Sequence, residues 1–340
     1  MLHKESFISQ QFRPAVRGST IDSDYEAPIK FTSKEMPRQI LNVNAICFGP
    51  RKDNVLISLE HLADEKDEIL FLYYEDIFVR WSYICDSGDI YFTYQKDESN
   101  AYLVRAKTIY MRGCMVTPES KYWSILGELY NLMSLWKGKM LCNPGAQMSN
   151  ESKLFQLNNS LLSAAKLQNK IKIGTSFVVK GQTQYQRLNQ KKSYIVKSLS
   201  GVRSVVVDAS EYKYWNADAI DHLPVLFQEK VDGSDVRLHI LDDRLYGKLS
   251  EHKESIDYRY DSHFFDLKTM RHCDESISSF CQTVARLENN NLMGIDFIKS
   301  KNTYYVLEAN PCPGWSAYHP YNGIDTDDFL KHILNVLTHD

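Results

Sequence analysis

Oxygen-bearing side chains stand out in the stretch "MGIDFIKSKNTYYVLEANPCPGW" (residues 293–315), where apolar runs surround them. Side chains alternate between the two faces of a strand, so Glu308 and Asn310 share one face. Asp296 reaches the same face if the two apolar runs form antiparallel strands. Carboxylate and amide oxygens suit Mg²⁺ bound together with nucleotide phosphates, and a buried carboxylate without a partner is costly. These residues predict a magnesium site; the alternative is the polar end of a hairpin, in which Asp296 caps a turn.

Three basic side chains are candidates for binding phosphate. Lys197 in "YIVKSLSG" comes late on an apolar strand, just before a Ser/Gly turn, where a lysine meets phosphate as a compact point charge. Its alternative role is that of a strand-end lysine that extends its ammonium into solvent. Arg237 in "DVRLHI" and Arg259 in "DYRYD" carry the planar guanidinium that matches phosphate and carboxylate oxygens, although each alone is more often a surface residue.

The segment "FQEKVDG" offers a site of a different kind. Backbone groups at the end of a strand can pair with the edge of an adenine, and residues 228–231 form the connecting segment here. An ordinary strand that leads into a turn has the same composition, so the pattern alone does not decide. Cys312 has no histidine nearby in the sequence that would activate it, and we expect a structural thiol.

Composition bounds the class of protein. The 340 residues suffice for two or three domains, and 43% hydrophobic and 24% charged residues are typical of globular chains. With a net charge of −3 we expect neither nucleic acid nor a membrane as partner. No apolar run reaches the ~18–20 residues that span a bilayer, and the start has no secretory signal, which favours the cytoplasm. The seven cysteines lie singly, which indicates reduced thiols rather than a zinc site.

Changes in composition and hydrophobic pattern along the chain predict four regions. Residues 1–40 are a polar extension, residues 41–149 an α/β domain, and residues 150–225 and 226–340 two strand-rich domains. In the α/β domain, "NAICFG", "NVLISLEHL" and "EILFLYYEDI" are predicted as short strands and turns. "AKTIYMRGCMV" is predicted as a strand with the basic residue Arg112 at its end.

A helix is predicted next, with Thr117 as its N-cap, Pro118 in its first turn and Gly138 at its end. Its apolar face, expected in the core, comprises Tyr122, Ile125, Leu126, Leu129, Met133 and Trp136.

The strand-rich regions begin with a further predicted helix, capped by Asn150 and apolar at Leu154, Leu157, Leu161 and Ala165. "KIGTSFVV" is predicted as one strand, "SYIVKSLSGVRSVVVDA" as a hairpin and "VLFQEKVDGSDVRLHILDDRLYGKLSEH" as three successive strands. "DESISSFCQTVARLENN" predicts an amphipathic helix through Ile277, Phe280, Cys281, Val284 and Leu287. "DTDDFLKHILNVLTH" predicts a closing helix, whose acidic start the helix dipole favours.

The order of these segments resembles the ATP-grasp ligases over roughly residues 140–315. The segments that carry the resemblance are, in order, "NPGAQMSNESKLFQL", "TSFVV", "IVKSLSG", "FQEKVDGSDVRLHIL", "DYRYD", "MGIDFI" and "VLEANPCPGW". Within that superfamily the chain is most similar to the RimK-like branch, and there to the microviridin-type peptide ligases, the graspetide synthetases. The turn after Lys197 departs from the pattern in having one glycine, Gly201, and Tyr258 stands where the family usually has tryptophan.

The resemblance implies an ATP-grasp fold of the mixed α/β (α+β) class, in which two antiparallel-sheet subdomains clasp ATP and a smaller α/β domain precedes them. Arg237 and Arg259 would stabilise the transferred phosphoryl group and the acyl phosphate. The implied nucleotide-binding residues are Lys197, more weakly Lys180, then Gln228, Glu229, Lys230 and Val231 at the adenine, and Asp235 near the ribose. Two Mg²⁺ ions would be held by Asp296, Glu308 and Asn310.

The implied reaction joins a carboxylate to an amine or a hydroxyl through an acyl phosphate, with ATP converted to ADP and phosphate. We expect a ribosomally made precursor peptide as substrate, cross-linked through acidic side chains, and Arg112 as a residue that helps to bind it. The alternatives are a ligase that joins a free amino acid to a small molecule or a peptide end, a nucleotide-binding relative without ligation, and a kinase that phosphorylates a hydroxyl. The chain is also compatible with a homodimer.

Overall fold

The computed structural model describes residues 37–86, 89–113, 120–146, 152–181, 184, 192–199, 207–208, 224–250, 267–270, 273–321 and 327–339. These residues form two compact units. The N-terminal unit contains the described residues of Gly18–Gln147 together with Asn289–Leu292 and Pro311–Asp340, and the central unit those of Met148–Glu288 together with Met293–Asn310. The domain boundaries predicted from the sequence stay predictions.

A mixed sheet lies at the centre of the N-terminal unit. Its strands are β1 Gln39–Gly49, β2 Ile69–Tyr73, β3 Trp81–Asp86, β4 Asp89–Gln95, β5 Ala101–Met111 and β6 Lys139–Leu141. The order is β2-β1-β5-β4-β3, with β6 beside the second half of β5. β2, β1, β5 and β6 are parallel neighbours, whereas β4 runs antiparallel to β3 and β5. Continuous apolar runs such as Ala45–Phe48, fully buried here, suit strands covered on both faces.

Helix α1 (Asn54–Leu62) shows that the prediction of "NVLISLEHL" as part of the short strands and turns was wrong. The Asp53 side chain accepts hydrogen bonds from the backbone N–H groups of Val55 and Leu56, at 2.9 and 3.1 Å, and so caps the first turn. Val55, Leu56 and Leu59 then lie on one buried face. The capping aspartate and this spacing outweigh the preference of the β-branched residues for a strand.

Helix α2 (Trp123–Met133) has the buried face that the sequence predicts, including Tyr122, Leu126, Leu129 and Met133. The helix begins later and ends earlier than predicted. The proposed cap Thr117 and Pro118 lie outside the described residues.

The central unit begins with a helical segment made of α3 (Lys153–Gln156), a π-helical turn (Leu157–Leu161) and α4 (Leu162–Ala165). Its N-cap is Ser152 rather than the predicted Asn150, because the Ser152 hydroxyl accepts a hydrogen bond from the backbone N–H of Phe155. Leu157, Leu161 and Ala165 are buried as predicted, and so is the polar Gln156.

Two sheets follow in the central unit. Their strands are β7 Ile171–Ile173, β8 Ser176–Val179, β9 Tyr194–Ser198, β10 Val207–Asp208, β11 Val225–Glu229, β12 Ser234–Leu241, β13 Arg244–Ser250, β14 Lys268–Met270, β15 Leu292–Ser300 and β16 Thr303–Asn310. A four-stranded antiparallel sheet has the order β10-β9-β11-β8, and a six-stranded sheet the order β14-β13-β12-β15-β16-β7. The predicted single strand "KIGTSFVV" is therefore two strands, which belong to different sheets.

The six-stranded sheet packs one face against helix α5 (Glu275–Leu287). On β12 the core residues Val236, Leu238 and Ile240 alternate with polar residues, and these buried apolar side chains meet Phe280 and Val284 of the helix in one cluster. The predicted apolar face of α5 is confirmed except for Leu287, which is exposed. The opposite face of β12 is thereby left to its polar residues.

The last helix, α6 (Asp328–Thr338), is capped by Asp327 and packs against β1 and β5 of the N-terminal unit. None of the helices in the described part of the chain is long and apolar enough to cross a membrane.

Candidate active site

The hairpin of β15 and β16 brings the predicted oxygen donors together. The two strands are antiparallel, and Asp296 lies directly opposite Glu308, while Gly294 lies opposite Asn310. Directly opposite residues point to the same face of a sheet, as do residues two apart on one strand. Asp296, Glu308 and Asn310 therefore share one face. Their role as metal ligands stays a prediction.

A β-bulge determines which face that is. Asp296 pairs with Glu308, but the next pair is Phe297 with Val306, so the register of the hairpin leaves out residue 307. The extra residue shifts the alternation of β16 by one place, so that Val306 before it and Ala309 after it both belong to the hydrophobic core. Glu308 and Asn310 consequently point away from the core.

Gln156, which the sequence did not predict as a site residue, fixes the end of β16. β7 pairs with β16 only from Tyr304 to Val306, so no described strand pairs with Ala309 on that side. The buried amide of Gln156 takes that place: its Nε2 donates to Ala309 O at 2.5 Å and its Oε1 accepts from Ala309 N at 2.9 Å. Because Ala309 lies between Glu308 and Asn310, this pair of bonds holds the stretch of backbone that carries both side chains.

Arg237 lies on β12, the neighbour of β15, and forms an ion pair with the hairpin. Its Nη1 donates to Asp296 Oδ2 at 2.8 Å. Its Nε donates to His239 Nε2 at 3.3 Å. Asp235, Arg237 and His239 are buried and alternate with the core residues of β12, so all three lie on the face that carries the hairpin carboxylates.

This donor set fits a magnesium ion. Two carboxylates that lie directly opposite each other on a sheet repel, and nearby cations offset that repulsion. The guanidinium of Arg237 is one such cation, paired with Asp296. Two carboxylates and an amide leave coordination positions for phosphate oxygens and water, which is how Mg²⁺ is usually bound. Among the described residues no group of three His, Cys, Asp or Glu side chains could hold a metal, so the amide of Asn310 is needed to complete a set of three.

Lys197 and Gln228 share one face of the four-stranded sheet. Lys197 lies opposite Leu226 and Gln228 opposite Ile195, so the two polar side chains are diagonal neighbours. Both are buried, with 8% and 1% of the residue exposed. Within the described ranges Gln228 Oε1 has no hydrogen-bond partner. A buried acceptor without a donor costs stability, and an amino group of a ligand would satisfy it.

The connecting segment after β11 is anchored by ion pairs. Lys192 Nζ donates to Glu229 Oε1 at 3.0 Å, and this hydrogen bond holds the pKa of the Glu229 carboxyl below its usual range. Lys230 Nζ donates to Asp208 Oδ2 at 2.9 Å. Val231 follows with a half-buried side chain. The backbone N–H groups of Glu229 and Lys230 donate to Thr175 O and Ser193 O at 2.8 and 2.9 Å and hold the backbone of the segment. Its predicted contact with adenine stays a prediction.

Lys180 and Asp235 differ in exposure. Lys180 follows the edge strand β8 with an exposed side chain, and its backbone N–H donates to Gln184 Oε1 at 2.8 Å. Asp235, near the start of β12, is 6% exposed and shares a face with Arg237. Arg259, the second predicted catalytic arginine, lies outside the described residues. The nucleotide-binding and catalytic roles of these three residues stay predictions.

Arg112, predicted to help bind a peptide, is buried inside the N-terminal unit. Its Nε and Nη2 donate to the two carboxylate oxygens of Asp53 at 3.2 and 3.3 Å. Its Nη1 donates to Pro313 O at 2.8 Å and to Cys312 Sγ at 3.1 Å. Arg112 thus holds the segment that follows β16. This geometry favours a structural role, and contact with a substrate stays a prediction.

Cys312 lies among donors in the same unit. Its Sγ accepts from the backbone N–H of Gly113 at 3.2 Å as well as from Arg112, and it contacts the thiol of Cys142. The pKa of Cys312 is lowered to about 6, mainly by the hydrogen bond with the Cys142 thiol. The charge of Arg112 and the N–H of Gly113 also lower it, whereas burial opposes them. Burial foremost raises the pKa of Cys142 well above its usual range.

Comparison with known proteins places this geometry in a family. The family model of the RimK-like ATP-grasp domain matches residues 157–334. The chain is similar to a RiPP-associated ATP-grasp ligase of Chryseobacterium gregarium, solved with ADP and a leader and core peptide, at TM-score 0.70 and 17% identity over 87% of this chain and 96% of that one. It is also similar to the ATP-grasp ligase PsnB, solved with a minimal precursor, Mg and ADP, at TM-score 0.64 and 17% identity over 88% and 99% of the two chains. These likenesses confirm the predicted ATP-grasp fold.

Curated relatives match a shorter stretch. A probable alpha-L-glutamate ligase of Haemophilus ducreyi is 25% identical over 151 residues, which are 41% of this chain and 48% of that protein. The chain spans about half the length of the curated relatives it matches.

Proposed function

The chain belongs to the RimK-like ATP-grasp family, and from this membership we propose that it is an ATP-dependent ligase that joins a carboxylate to an amine or a hydroxyl. The observation that carries the proposal is the arrangement of Asp296, Glu308 and Asn310 on one face of a hairpin, with Arg237 paired to Asp296. A cluster of oxygen ligands beside a buried cation suits the transfer of a phosphoryl group.

The proposed chemistry overcomes the poor leaving group of a carboxylate. A carboxylate oxygen attacks the γ-phosphorus of ATP, the bond from that phosphorus to the bridging oxygen breaks, and ADP leaves. An amine or a hydroxyl then attacks the carbonyl of the acyl phosphate. The new C–N or C–O bond forms, inorganic phosphate leaves and the proton of the nucleophile passes to solvent. One ATP is converted to ADP and phosphate for each amide or ester.

The residues divide this work between the two sheets of the central unit. Arg237, with Arg259 as the second proposed cation, would neutralise charge on the oxygens being transferred. Lys197 would contact the phosphates. The proposed nucleotide pocket is completed by Lys180, Gln228, Glu229, Lys230, Val231 and Asp235.

Asp296, Glu308 and Asn310 would hold Mg²⁺, two ions in our proposal. When bound there, the metal supplies charge neutralisation at the phosphate oxygens. The fit of the donor set supports this assignment, because two opposed carboxylates need cations nearby.

As substrate we propose an acidic peptide made on the ribosome and cross-linked between its side chains. Support comes from the fold relatives solved with a leader and core peptide and with a minimal precursor. The proposed contribution of Arg112 to peptide binding has weaker support, since its guanidinium is engaged inside the N-terminal unit. The cytoplasmic location and the homodimer stay predictions.

A second candidate substrate is a free amino acid, joined to a small molecule or to the end of a peptide. The similarity to probable alpha-L-glutamate ligases favours it. The chemistry at the carboxylate is the same in both cases, and the two candidates differ in the size of the substrate that must be bound.

Trapping with hydroxylamine tests the ligase proposal before the acceptor is known. Free glutamate and a synthetic peptide rich in Asp and Glu serve as carboxylates, with ATP and Mg²⁺ present. Hydroxylamine converts an acyl phosphate to a hydroxamate, so we expect hydroxamate and ADP in equal amounts. Tight nucleotide binding without hydroxamate from either probe would contradict the proposal and favour a nucleotide-binding relative.

Mass spectrometry of the same peptide without hydroxylamine separates the substrates. Each cross-link within the peptide removes one water from its mass, whereas addition of free glutamate raises the mass by one glutamyl residue. A stable phosphorylated peptide would instead identify a kinase.

A further inference from the structure

The guanidinium of Arg237 is held on three sides. Asp296 Oδ2 accepts from Nη1 at 2.8 Å, and His239 Nε2 accepts from Nε at 3.3 Å. The third side is the backbone of Gly294, where an ideal Cβ would lie 2.2 Å from Nη2 and 2.5 Å from Cζ of Arg237. The carboxylate belongs to the predicted metal site, whereas His239 and Gly294 have no role in the reaction proposed above.

We propose that His239 and Gly294 are positioning residues, which fix the orientation of the Arg237 guanidinium so that it faces the transferred phosphoryl group. The inference rests on the proposed ligase function. It adds two residues that act through Arg237 and need not touch ATP, metal or substrate.

The hydrogen bond from Arg237 Nε determines which tautomer of His239 is present. The guanidinium is always a donor, so the Nε2 that accepts from it carries no proton, and the neutral ring has its proton on Nδ1. His239 is fully buried on β12, and a buried ring on a central strand has little rotational freedom. A fixed acceptor at Nε selects one rotation of the guanidinium, and that rotation directs Nη1 to Asp296.

Gly294 supplies the space for this arrangement. It lies opposite Asn310 on the hairpin and two residues before Asp296, so its missing side chain would point to the same face as the carboxylates. A contact of 2.2 Å is far shorter than real Cβ contacts, so any side chain at this position would displace the guanidinium. The glycine is therefore required by the arginine rather than by a turn, since it lies inside β15.

A positional role of this kind matters because catalysis is sensitive to small displacements. Misplacing a charged group by about 1 Å can cost roughly 100-fold in rate while binding of the substrate persists. We therefore expect changes at His239 or Gly294 to lower kcat and to leave the KM for ATP nearly unchanged.

Three substitutions at His239 separate positioning from packing. In His239→Gln, Oε1 lies as far along the side chain as Nε2 and can accept from Arg237 Nε, so we expect kcat within about threefold of the natural protein. His239→Asn places its oxygen at the level of Nδ1, out of reach, and His239→Met fills the space without an acceptor. For both we expect kcat to fall about 10- to 100-fold, with the KM for ATP within about twofold.

Two results would contradict the positioning role of His239. Full activity of His239→Met would show that the acceptor is unnecessary and would overturn the role of His239. An equal loss in all three variants, with an equal fall in melting temperature, would mean that the ring only fills space, and this too would overturn it.

Gly294→Ala tests the second residue independently of the histidine. We expect kcat to fall about 10- to 100-fold. Gly247→Ala is the matched control, a strand glycine of the same sheet whose Cβ would instead crowd the core side chains of Leu238 and Met270. It should lower the melting temperature and leave kcat nearly unchanged. Unchanged kcat in Gly294→Ala would overturn the proposal for Gly294.

A readout without turnover separates this inference from the proposed function. In ¹⁵N NMR spectra of the whole protein, the Nε–H of Arg237, assigned by its absence in Arg237→Lys, should exchange slowly because it is buried and bonded. The signal should persist in His239→Gln and disappear in His239→Met. If no carboxylate is activated but this pattern appears, the ligase proposal fails while the positioning of Arg237 stands. If hydroxamate forms but the signal is the same in all variants, the positioning inference fails.

Discussion

Two buried Arg–Asp pairs lie in the two units of the molecule, and they differ in what else each carboxylate does. In the N-terminal unit Arg112 pairs with Asp53, at 3.2 Å from Nε to Oδ1. In the central unit Arg237 pairs with Asp296, at 2.8 Å from Nη1 to Oδ2. Burial and chemistry alone would assign the same role to both pairs.

The pair in the N-terminal unit is built from groups of the fold. Asp53 also caps helix α1 through the N–H groups of Val55 and Leu56, and its side chain is 1% exposed. Arg112 also binds the carbonyl of Pro313. The pair thus joins a helix start, a strand end and the chain after β16.

The carboxylate of the pair in the central unit lies close to a second negative charge. Asp296 lies opposite a second carboxylate, Glu308, and retains 15% exposure of its side chain. Opposed carboxylates destabilise a sheet, so this arrangement favours cation binding over stability. The comparison shows that the role of a buried ion pair, structural or catalytic, depends on the other groups that its carboxylate contacts. Each of the following predictions tests the role given to one of the two pairs or to its surroundings.

The largest expected effect is on turnover in Asp296→Asn. The amide keeps an oxygen for Arg237 but removes the negative charge that we assign to metal binding, so we expect kcat to fall about 10³- to 10⁴-fold. Hydroxamate formation with ATP and Mg²⁺ measures the loss. The melting temperature should change little, because repulsion from Glu308 is relieved as the ion pair is weakened. A fully active Asp296→Asn protein would remove the basis for treating the two pairs differently.

Arg112→Met should act on stability instead. Removing one partner of a buried pair leaves the other charge uncompensated, so we expect the free energy of unfolding of the N-terminal unit to fall by about 3 kcal/mol. Urea unfolding followed by tryptophan fluorescence measures it, because Trp81 and Trp315 are fully buried in that unit.

Arg112→Lys sharpens the same test. Lysine keeps one charge near Asp53 but cannot reproduce the fork, so a smaller loss of stability is expected. A folded Arg112→Lys protein that activates free glutamate but no longer binds an acidic peptide would support the predicted substrate role and contradict a purely structural one.

Gln156→Met tests how the central site is held. The apolar side chain would leave the N–H and carbonyl of Ala309 without partners, which should cost about 2 kcal/mol in the free energy of unfolding. Turnover should fall about tenfold, because the neighbouring Glu308 and Asn310 lose their fixed orientation. Asn158→Met is the matched control, since the exposed Asn158 amide donates to Leu154 O, one turn before it in the same helical segment. Equal effects of the two variants would contradict the role given to Gln156.

The sequence predicted those parts of the site that depend on alternation within one strand or between two adjacent strands. The shared face of Glu308 and Asn310 follows from spacing alone, because side chains two residues apart lie on one face, and the antiparallel pairing on which Asp296 depends is present in the hairpin. The bulge beside Phe297 was not predictable in this way, since one extra residue reverses the alternation and leaves no composition signal.

Contacts between distant segments escaped prediction for a different reason. Gln156 is 153 residues from Ala309, and Arg112 is 201 residues from Pro313, so no local pattern links them. The sequence thus places a basic residue at the end of β5 without indicating the partners that Arg112 has in the fold. Helix α1 was missed because β-branched and apolar residues masked the cap at Asp53, although that aspartate was visible in the sequence.

The smallest expected effect is a dependence of stability on pH in the N-terminal unit. Cys312 has its pKa lowered to about 6 in the folded protein from an ordinary thiol value of 9.0. Between these values the unfolded chain binds more protons, so stability should rise as the pH increases from 6 to 8.5 and be lost as the pH falls through 6. A pKa unit corresponds to about 1.4 kcal/mol, and for a buried, coupled pair we expect a rise of about 1–2 kcal/mol over this range.

Urea unfolding under reducing conditions at several pH values measures this slope, and two serine variants assign it. Cys312→Ser should flatten the profile, because the hydroxyl does not ionise beside Arg112. Cys85→Ser, a change at an exposed cysteine of the same unit, should leave the slope intact. A slope that survives Cys312→Ser would mean that the guanidinium of Arg112 stabilises only the Asp53 carboxylate. The carboxylate of Asp53 would then be the acidic partner of Arg112, just as Asp296 is that of Arg237.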